Sequence, residues 1–249
     1  MSGTRDENVF MARLAESATR YEDMVEYIQR VAKMGGELSI DERNLLSVAF
    51  KNCVGARRKA WRAVYHDEKD AVPEIAEHIA VYRGTIEVEL KAKCDEILQL
   101  IDKWLIPQVT EGGVEATVFY MKMKGDYFRY LAEFSHGSHA FKEEARVAYE
   151  QATNMAVSLP CAHVTKLGLA LNYAVFYYEV LQQAAEACRL ARQAYQDAQG
   201  GLAGMHPDDR QESEQILQLL NDNLTLWAAD MTTDGGRPPE QDGTAVEEM

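Results

Sequence analysis

Two short runs carry side chains whose type and spacing suggest anion chemistry. In FKNCVGARRKAWR (50–62) stand Lys51, Arg57, Arg58, Lys59 and Arg62. At about 100° per residue, Lys51 and Arg58 differ by about −20° around a helix and Lys51 and Arg62 by about +20°. These three therefore share one stripe, with Arg57 and Lys59 to either side. KMKGDYFRY (122–130) repeats the device: Lys122 and Arg129 are seven apart, Asp126 lies between them on the same face, and Tyr130 adds a hydroxyl. A basic helix stripe is usually solvated surface charge, and an i,i+4 pair contributes only about 0.3–0.5 kcal/mol. If both stripes faced one cavity, cations about 4 Å apart would repel by roughly 4 kcal/mol at an effective dielectric of 20. Such crowding persists when carboxylates hold it apart or when an anion is the guest. Arginine suits phosphate because its planar fork donates two parallel hydrogen bonds.

A second kind of stripe mixes aliphatic side chains with one amide. Leu171, Asn172, Val175 and Glu179 fall on one face, as do Leu219, Asn223 and Leu226. Apolar stripes of this form belong more often to a core than to a groove. The Asn within each is harder to dismiss, because a buried amide must find partners and can clamp a peptide backbone through its N–H and C=O groups.

The elements that must position these residues are helices. The stretches between Pro73, Pro107, Pro160 and Pro207 are long, free of proline and rich in Ala, Leu, Glu, Lys, Arg and Met, residues that lose little entropy in a helix. Period-two alternation is nearly absent, so no sheet is predicted. The first helix is capped at Asp6 or Asn8 and reaches about Ala18. The second spans 21–33 and stops at Gly35-Gly36. Ser39-x-x-Glu42 is a capping box and opens the third, to about Glu68. Further helices are read at 73–106, ending at Pro107, then 113–134, 138–158, 163–181 and 184–199, and from a cap at Asp208 to about Asp230. The reading is all-α: nine helices whose short connections make neighbours antiparallel, one helical domain over 1–230, and a tail over 231–249. From Asp230 onward, six acidic residues face one Arg237, a net charge of −5; disorder is expected there, for want of apolar surface to bury.

The 249 residues, 47% of them hydrophobic, suffice for a sizeable core. With 40 acidic residues against 26 basic and a formal net charge of −14, general nucleic-acid binding and docking on anionic lipid are disfavoured. No apolar run approaches the roughly 18 residues of a membrane span, and the N-terminus lacks a secretory signal pattern. Cys53, Cys94, Cys161 and Cys188 are too far apart for a metal knuckle and read as buried free thiols in a reducing cytosol. No metal, cofactor or enzymatic activity is expected: His136-Gly-Ser-His139 is too short and isolated for a zinc site, and P-loop, GxSxG and GxGxxG motifs are missing. The spacing Ala187-Ala191-Ala194-Tyr195-Ala198 has a repeat-scaffold flavour, but no period near 34 residues runs through the chain.

The runs RNLLSVAFKNCVGARRKAWR (43–62), KMKGDYFRYLAE (122–133), LGLALNYAVFYYEVL (167–181) and LLNDNLTLWAAD (219–230) resemble the signature segments of the 14-3-3 proteins, in order and at the family's intervals, over about residues 8–230. The resemblance implies a cup-shaped dimer, homodimeric or mixed with paralogues, with one amphipathic groove per subunit. The function implied is that of a cytoplasmic and nuclear adaptor that binds phosphoserine and phosphothreonine peptides of signalling partners and masks or bridges them. By motif, the phosphate pocket falls on Lys51, Arg58, Arg129 and Tyr130, with Arg62 and Lys122 at neighbouring basic positions. Peptide-backbone contacts fall on Asn172, Glu179 and Asn223, and the apolar wall on Leu171, Val175, Leu219 and Leu226, followed by Trp227. Implied dimer positions are Leu14, Ala18, Arg20, Asp23, Val64, Tyr82 and Glu89. Arg20 and Glu89 keep the family's intersubunit bridge. Thr85 replaces the Lys that would pair with Asp23, Ala60 replaces a Ser phosphorylated in some members, and Gln215, beside Glu214, stands where Leu is common. Residues 65–80 and 135–140 match poorly. The residues themselves lead to an anion site and a mixed stripe; the phosphopeptide comes from the resemblance.

Overall fold

The computed structural model describes residues 3–135 and 138–233. Among the described residues the regular structure is helical throughout: α1 (Arg5–Ser17), α2 (Tyr21–Lys33), α3 (Ile40–Asp70), α4 (Pro73–Leu100), α5 (Val114–Phe134), α6 (His139–Met155), α7 (Val164–Glu179), α8 (Ala184–Gln199) and α9 (Pro207–Thr233). None of these helices is long and apolar enough to cross a membrane. The chain divides into two compact units, 1–111 and 112–249.

In the first unit the helix boundaries follow local chemistry. The cap of α1 is Thr4 rather than Asp6 or Asn8: its hydroxyl accepts from Glu7 N, and the Glu7 carboxylate accepts from Thr4 N. This reciprocal box satisfies two of the orphan N–H groups of the first turn. Asn8 instead lies one turn inside, donating to Gly3 and Thr4 carbonyls. The second box, at Ser39 and Glu42, forms as the sequence predicts. Gly35 and Gly36 have φ of +93° and +82°, a region that favours glycine, and they turn the chain between α2 and α3. Arg5 fastens that turn to α1. Its Nε and Nη2 each lie 2.7 Å from the Glu42 carboxylate, and Nη1 donates to the Gly35 carbonyl at 2.9 Å. The apolar face of α2, Met24, Val25, Ile28, Val31 and Ala32, is buried.

The fourth helix departs from its predicted end. Its α geometry stops at Leu100, followed by a π-helical turn over Ile101–Leu105 and a 3-10 turn over Ile106–Gln108. Pro107 is the physical reason, since its ring clashes with the carbonyl four residues back and it donates no N–H. The chain widens one turn earlier, and Ile106 N donates to Ile101 O.

In the second unit α7 is central, packing against α5, α6, α8 and α9. It is buried nearly all round, from Thr165 to Tyr178. Ala145, Ala148 and Ala152 give α6 a small-residue face, and Ala184, Ala187, Ala191 and Ala198 do the same for α8. The sixth helix gives way to a 3-10 turn over Ala156–Ser158, and His163 caps α7 by accepting from Thr165 N at 3.2 Å. The last helix begins at Pro207, one residue before the expected cap, because Pro is pre-organised for a first turn. It runs to Thr233, into the stretch read as tail; the remainder of that tail, 234–249, lies outside the described residues, as does His136. Three cysteines are buried, but Cys161 is exposed in the α6–α7 connection, which corrects the reading of four buried thiols.

Candidate functional site

Within the first unit, α3 carries the basic stripe. Its cations do different work. Arg57 is committed to structure: Nη1 lies 2.7 Å from Glu22 and 3.0 Å from the Cys53 carbonyl, and Nε is 3.4 Å from Glu89. Arg58, one residue on, is buried at 8% exposure. Lys51 and Arg62 are exposed, and among the described residues no carboxylate pairs with Lys51. Helical phase thus separates the structural cation from the stripe that the sequence singles out.

Within the second unit, α5 contributes Lys122, Asp126, Arg129 and Tyr130, all buried. Asp126 is the centre of the cluster. Its Oδ2 accepts from Lys122 Nζ at 2.9 Å, while Oδ1 accepts from the Tyr149 hydroxyl at 2.6 Å and from Asn172 Nδ2 at 2.8 Å. Arg129 is 1% exposed. Its Nε donates to the Tyr149 oxygen at 3.2 Å; Nη1 and Nη2 lie 3.5 Å from Glu179 and 3.7 Å from Asp126. The guanidinium also sits over the Tyr130 ring, 4.7 Å from its centroid. The frame therefore orients an arginine while leaving its two terminal nitrogens at ion-pair rather than hydrogen-bond distance from carboxylates. An anion with several acceptor oxygens matches such a group.

The Asn-aliphatic stripes of α7 and α9 meet in one core. Leu171, Val175 and Trp227 are fully buried in it, and Leu219 and Leu226 pack on it while keeping partial exposure. The Trp227 ring stacks on Tyr178 at 5.0 Å. Its indole N–H has no hydrogen-bond acceptor among the described residues. Asn172 and Asn223 are both buried, and Glu179 is half-buried beside Arg129. Gln215 and Glu214 are exposed, so the polar replacement there does not disturb the core.

Sequence spacing places Asp126 between Lys122 and Arg129, but does not reveal it as the hub, and it misses Tyr149 altogether. One signal was present: Gly125 sits in mid-helix, where glycine costs about 1 kcal/mol relative to alanine. A Cβ there would come within 2.6 Å of the Tyr149 ring.

The dimer positions implied by the resemblance are placed in the first unit. Leu14 is 51% and Tyr82 61% exposed; Ala18, Arg20 and Glu89 are exposed, and Asp23 and Val64 half-buried. Within the single chain Arg20 pairs with Asp23, and Glu89 with Arg57.

The family described as 14-3-3 protein matches residues 11–228. The chain is 49% identical over 242 residues to the 14-3-3-like protein GF14-C of Oryza sativa subsp. japonica, covering 94% of each. It is 46% identical over 252 aligned positions to the 14-3-3 protein epsilon of Drosophila melanogaster, covering 98% of this chain and 95% of that one. The chain belongs to the 14-3-3 family. A further relative, Protein BMH1 of Saccharomyces cerevisiae, is 49% identical over 243 residues, covering 94% of this chain and 90% of that one. As a 14-3-3 protein the chain is a phosphopeptide-binding adaptor and not an enzyme. The 14-3-3 match spans both the basic stripe of α3 and the Asp126 cluster.

Proposed function

We propose that this chain binds phosphoserine- or phosphothreonine-containing segments of partner proteins. Lys51, Arg58, Arg129 and Tyr130 receive the phosphate, with Arg62 and Lys122 adding positive potential. Asn172, Asn223 and Glu179 hold the peptide backbone, and Leu219 and Leu226 offer it apolar surface above the buried Leu171, Val175 and Trp227. The protein acts as a dimer, homomeric or mixed, through Leu14, Ala18, Arg20, Asp23, Val64, Tyr82 and Glu89, in the cytoplasm and the nucleus. It regulates signalling partners by masking or bridging them.

The observation that carries this reading is Arg129. A guanidinium at 1% exposure is costly unless it is held and paired, and here Asp126, Tyr149 and Glu179 surround it. A phosphate brings a charge of about −1.5 to −2 and three acceptor oxygens. Each charge-assisted bond is worth about 1.5–3 kcal/mol, so Arg58→Ala and Arg129→Ala should each weaken binding at least about tenfold. Lys51 gives the cleanest test, because it is exposed and its replacement disturbs no core. Titration calorimetry of the wild type and Lys51→Glu with one phosphopeptide should show a loss of at least about tenfold. Unchanged affinity in Lys51→Glu contradicts the phosphate-site assignment.

A further inference from the structure

The hydroxyl of Tyr149 has no direct part in the phosphate and peptide contacts proposed. Tyr149, on α6, touches no surface, being 0% exposed, yet its hydroxyl is spent on two members of the α5 anion stripe. It donates to Asp126 at 2.6 Å and accepts from Arg129 Nε at 3.2 Å. Packing alone would be served equally well by phenylalanine. The ring stacks on Tyr173 at 5.2 Å and lies 5.5 Å from Phe176. It also presses on Gly125, whose hydrogen is replaced by no larger group without a clash. The ring therefore has no room to turn, and the hydroxyl sits where the core puts it, independently of the bonds it makes. Burial first, and Asp126 second, push its phenol well above the ordinary value, so it remains a donor at neutral pH.

A long guanidinium side chain loses much rotamer freedom when a ligand orders it, and a frame that orders it beforehand removes that loss from the binding step. We infer that Tyr149 is a positioning residue for phosphate binding: its hydroxyl fixes Arg129 through Nε and fixes Asp126, so that the guanidinium is already aimed when the ligand arrives. The same Asp126 oxygen also accepts from Asn172 Nδ2 at 2.8 Å. One phenol thus orders the phosphate-binding cation and shares its carboxylate partner with the Asn172 amide. This inference rests on the phosphopeptide reading of the preceding subsection.

The test is a double-mutant cycle on the full chain, read by fluorescence anisotropy with an Arg-Ser-x-pSer-x-Pro peptide and its unphosphorylated twin. Tyr149→Phe should keep the wild-type circular dichroism and lose about tenfold in phosphopeptide affinity. In an Arg129→Lys background the same change should cost less than about twofold, because the group it positions is already gone. A purely structural tyrosine would cost the same in both backgrounds, and that result overturns the inference, as does wild-type affinity in Tyr149→Phe. If Tyr149→Phe fails to fold, Asp126→Asn replaces it in the cycle, and its cost should be smaller in the Arg129→Lys background than alone; an equal cost in both overturns the inference. The functional reading fails in a different way: the wild type itself then binds both peptides alike, and no positioning role survives. A wild type that discriminates beside a Tyr149→Phe variant that matches it leaves the function standing and removes only the role of Tyr149.

Discussion

A single residue, Arg129, gathers most of the site's physics. Its neighbours Lys122 and Asp126 were legible from spacing, since i+4 and i−3 positions on one helix must face one another. Tyr149 was not legible, because no periodicity within one helix specifies which side chain of another helix meets it. The same limit applies to Trp227 and Leu171. Their stripe is readable, but a stripe buried completely and one that borders a groove have the same spacing, and only the packing of α7 against α9 distinguishes Leu171 from the half-exposed Leu219. Residue environments also set thiol chemistry. Burial, and then Glu22, push the Cys53 thiol up to about 12, while Cys161 is exposed. The thiolate is the reactive form, so iodoacetamide at about pH 8 should alkylate Cys161 in the native protein and reach Cys53, Cys94 and Cys188 only after unfolding. Peptide mass mapping checks this, and early labelling of Cys53 contradicts the buried geometry.

Helix boundaries were the most readable feature at the scale of elements, wherever a cap is chemical. The Ser39–Glu42 box and the Tyr21 to Lys33 span stand as predicted. The start of α1 shifted because two candidate caps, Asp6 and Asn8, lie beside Thr4, and the winner is the one whose partner Glu7 stands three residues on. At α4 the sequence marks the proline but not how far its clash propagates. Two predictions belong here. Burial raises the Glu42 carboxyl, but Arg5 and the Ser39 backbone outweigh it, so its pKa lies below the ordinary 4.5. A group depressed in the folded state contributes stability that is complete above its unfolded pKa and is lost as pH falls through the folded value. Thermal midpoints should therefore hold steady down to about pH 5 and drop below about pH 4.5, with Glu42→Gln less stable at neutral pH and less sensitive to acid. An equal acid response in both proteins would show that the Arg5–Glu42 latch does not contribute. The second prediction concerns Gly125→Ala. The helix gains propensity worth about 1 kcal/mol, but the methyl group enters the rigid Tyr149 ring, and overpacking costs about 1–3 kcal/mol. Denaturant titration should show net destabilisation together with weaker phosphopeptide binding; a more stable variant would contradict the packing described.

For the whole molecule, fold class and charge were legible together. Alanine- and leucine-rich stretches between prolines specify helices, and a formal charge of −14 makes any concentrated basic stripe conspicuous. Quaternary structure is different, since an exposed Leu14 or Tyr82 has no single meaning within one chain. If these residues form the proposed dimer contact, Leu14→Asp combined with Tyr82→Asp should sediment as a monomer while keeping its helical spectrum. The gain for doubly phosphorylated partners, about 10²–10⁴ for two linked sites, should vanish with it, and a dimer that survives both charges would place the interface elsewhere.

Recognition of a phosphate on a peptide is the property on which the other predictions depend. The most direct measurement is fluorescence anisotropy at moderate salt with an Arg-Ser-x-pSer-x-Pro peptide and the same peptide without its phosphate. Micromolar or tighter binding of the phosphorylated peptide and none of its twin is expected, with the difference removed by Arg129→Ala. Equal binding of the two peptides, or binding of neither, would contradict it.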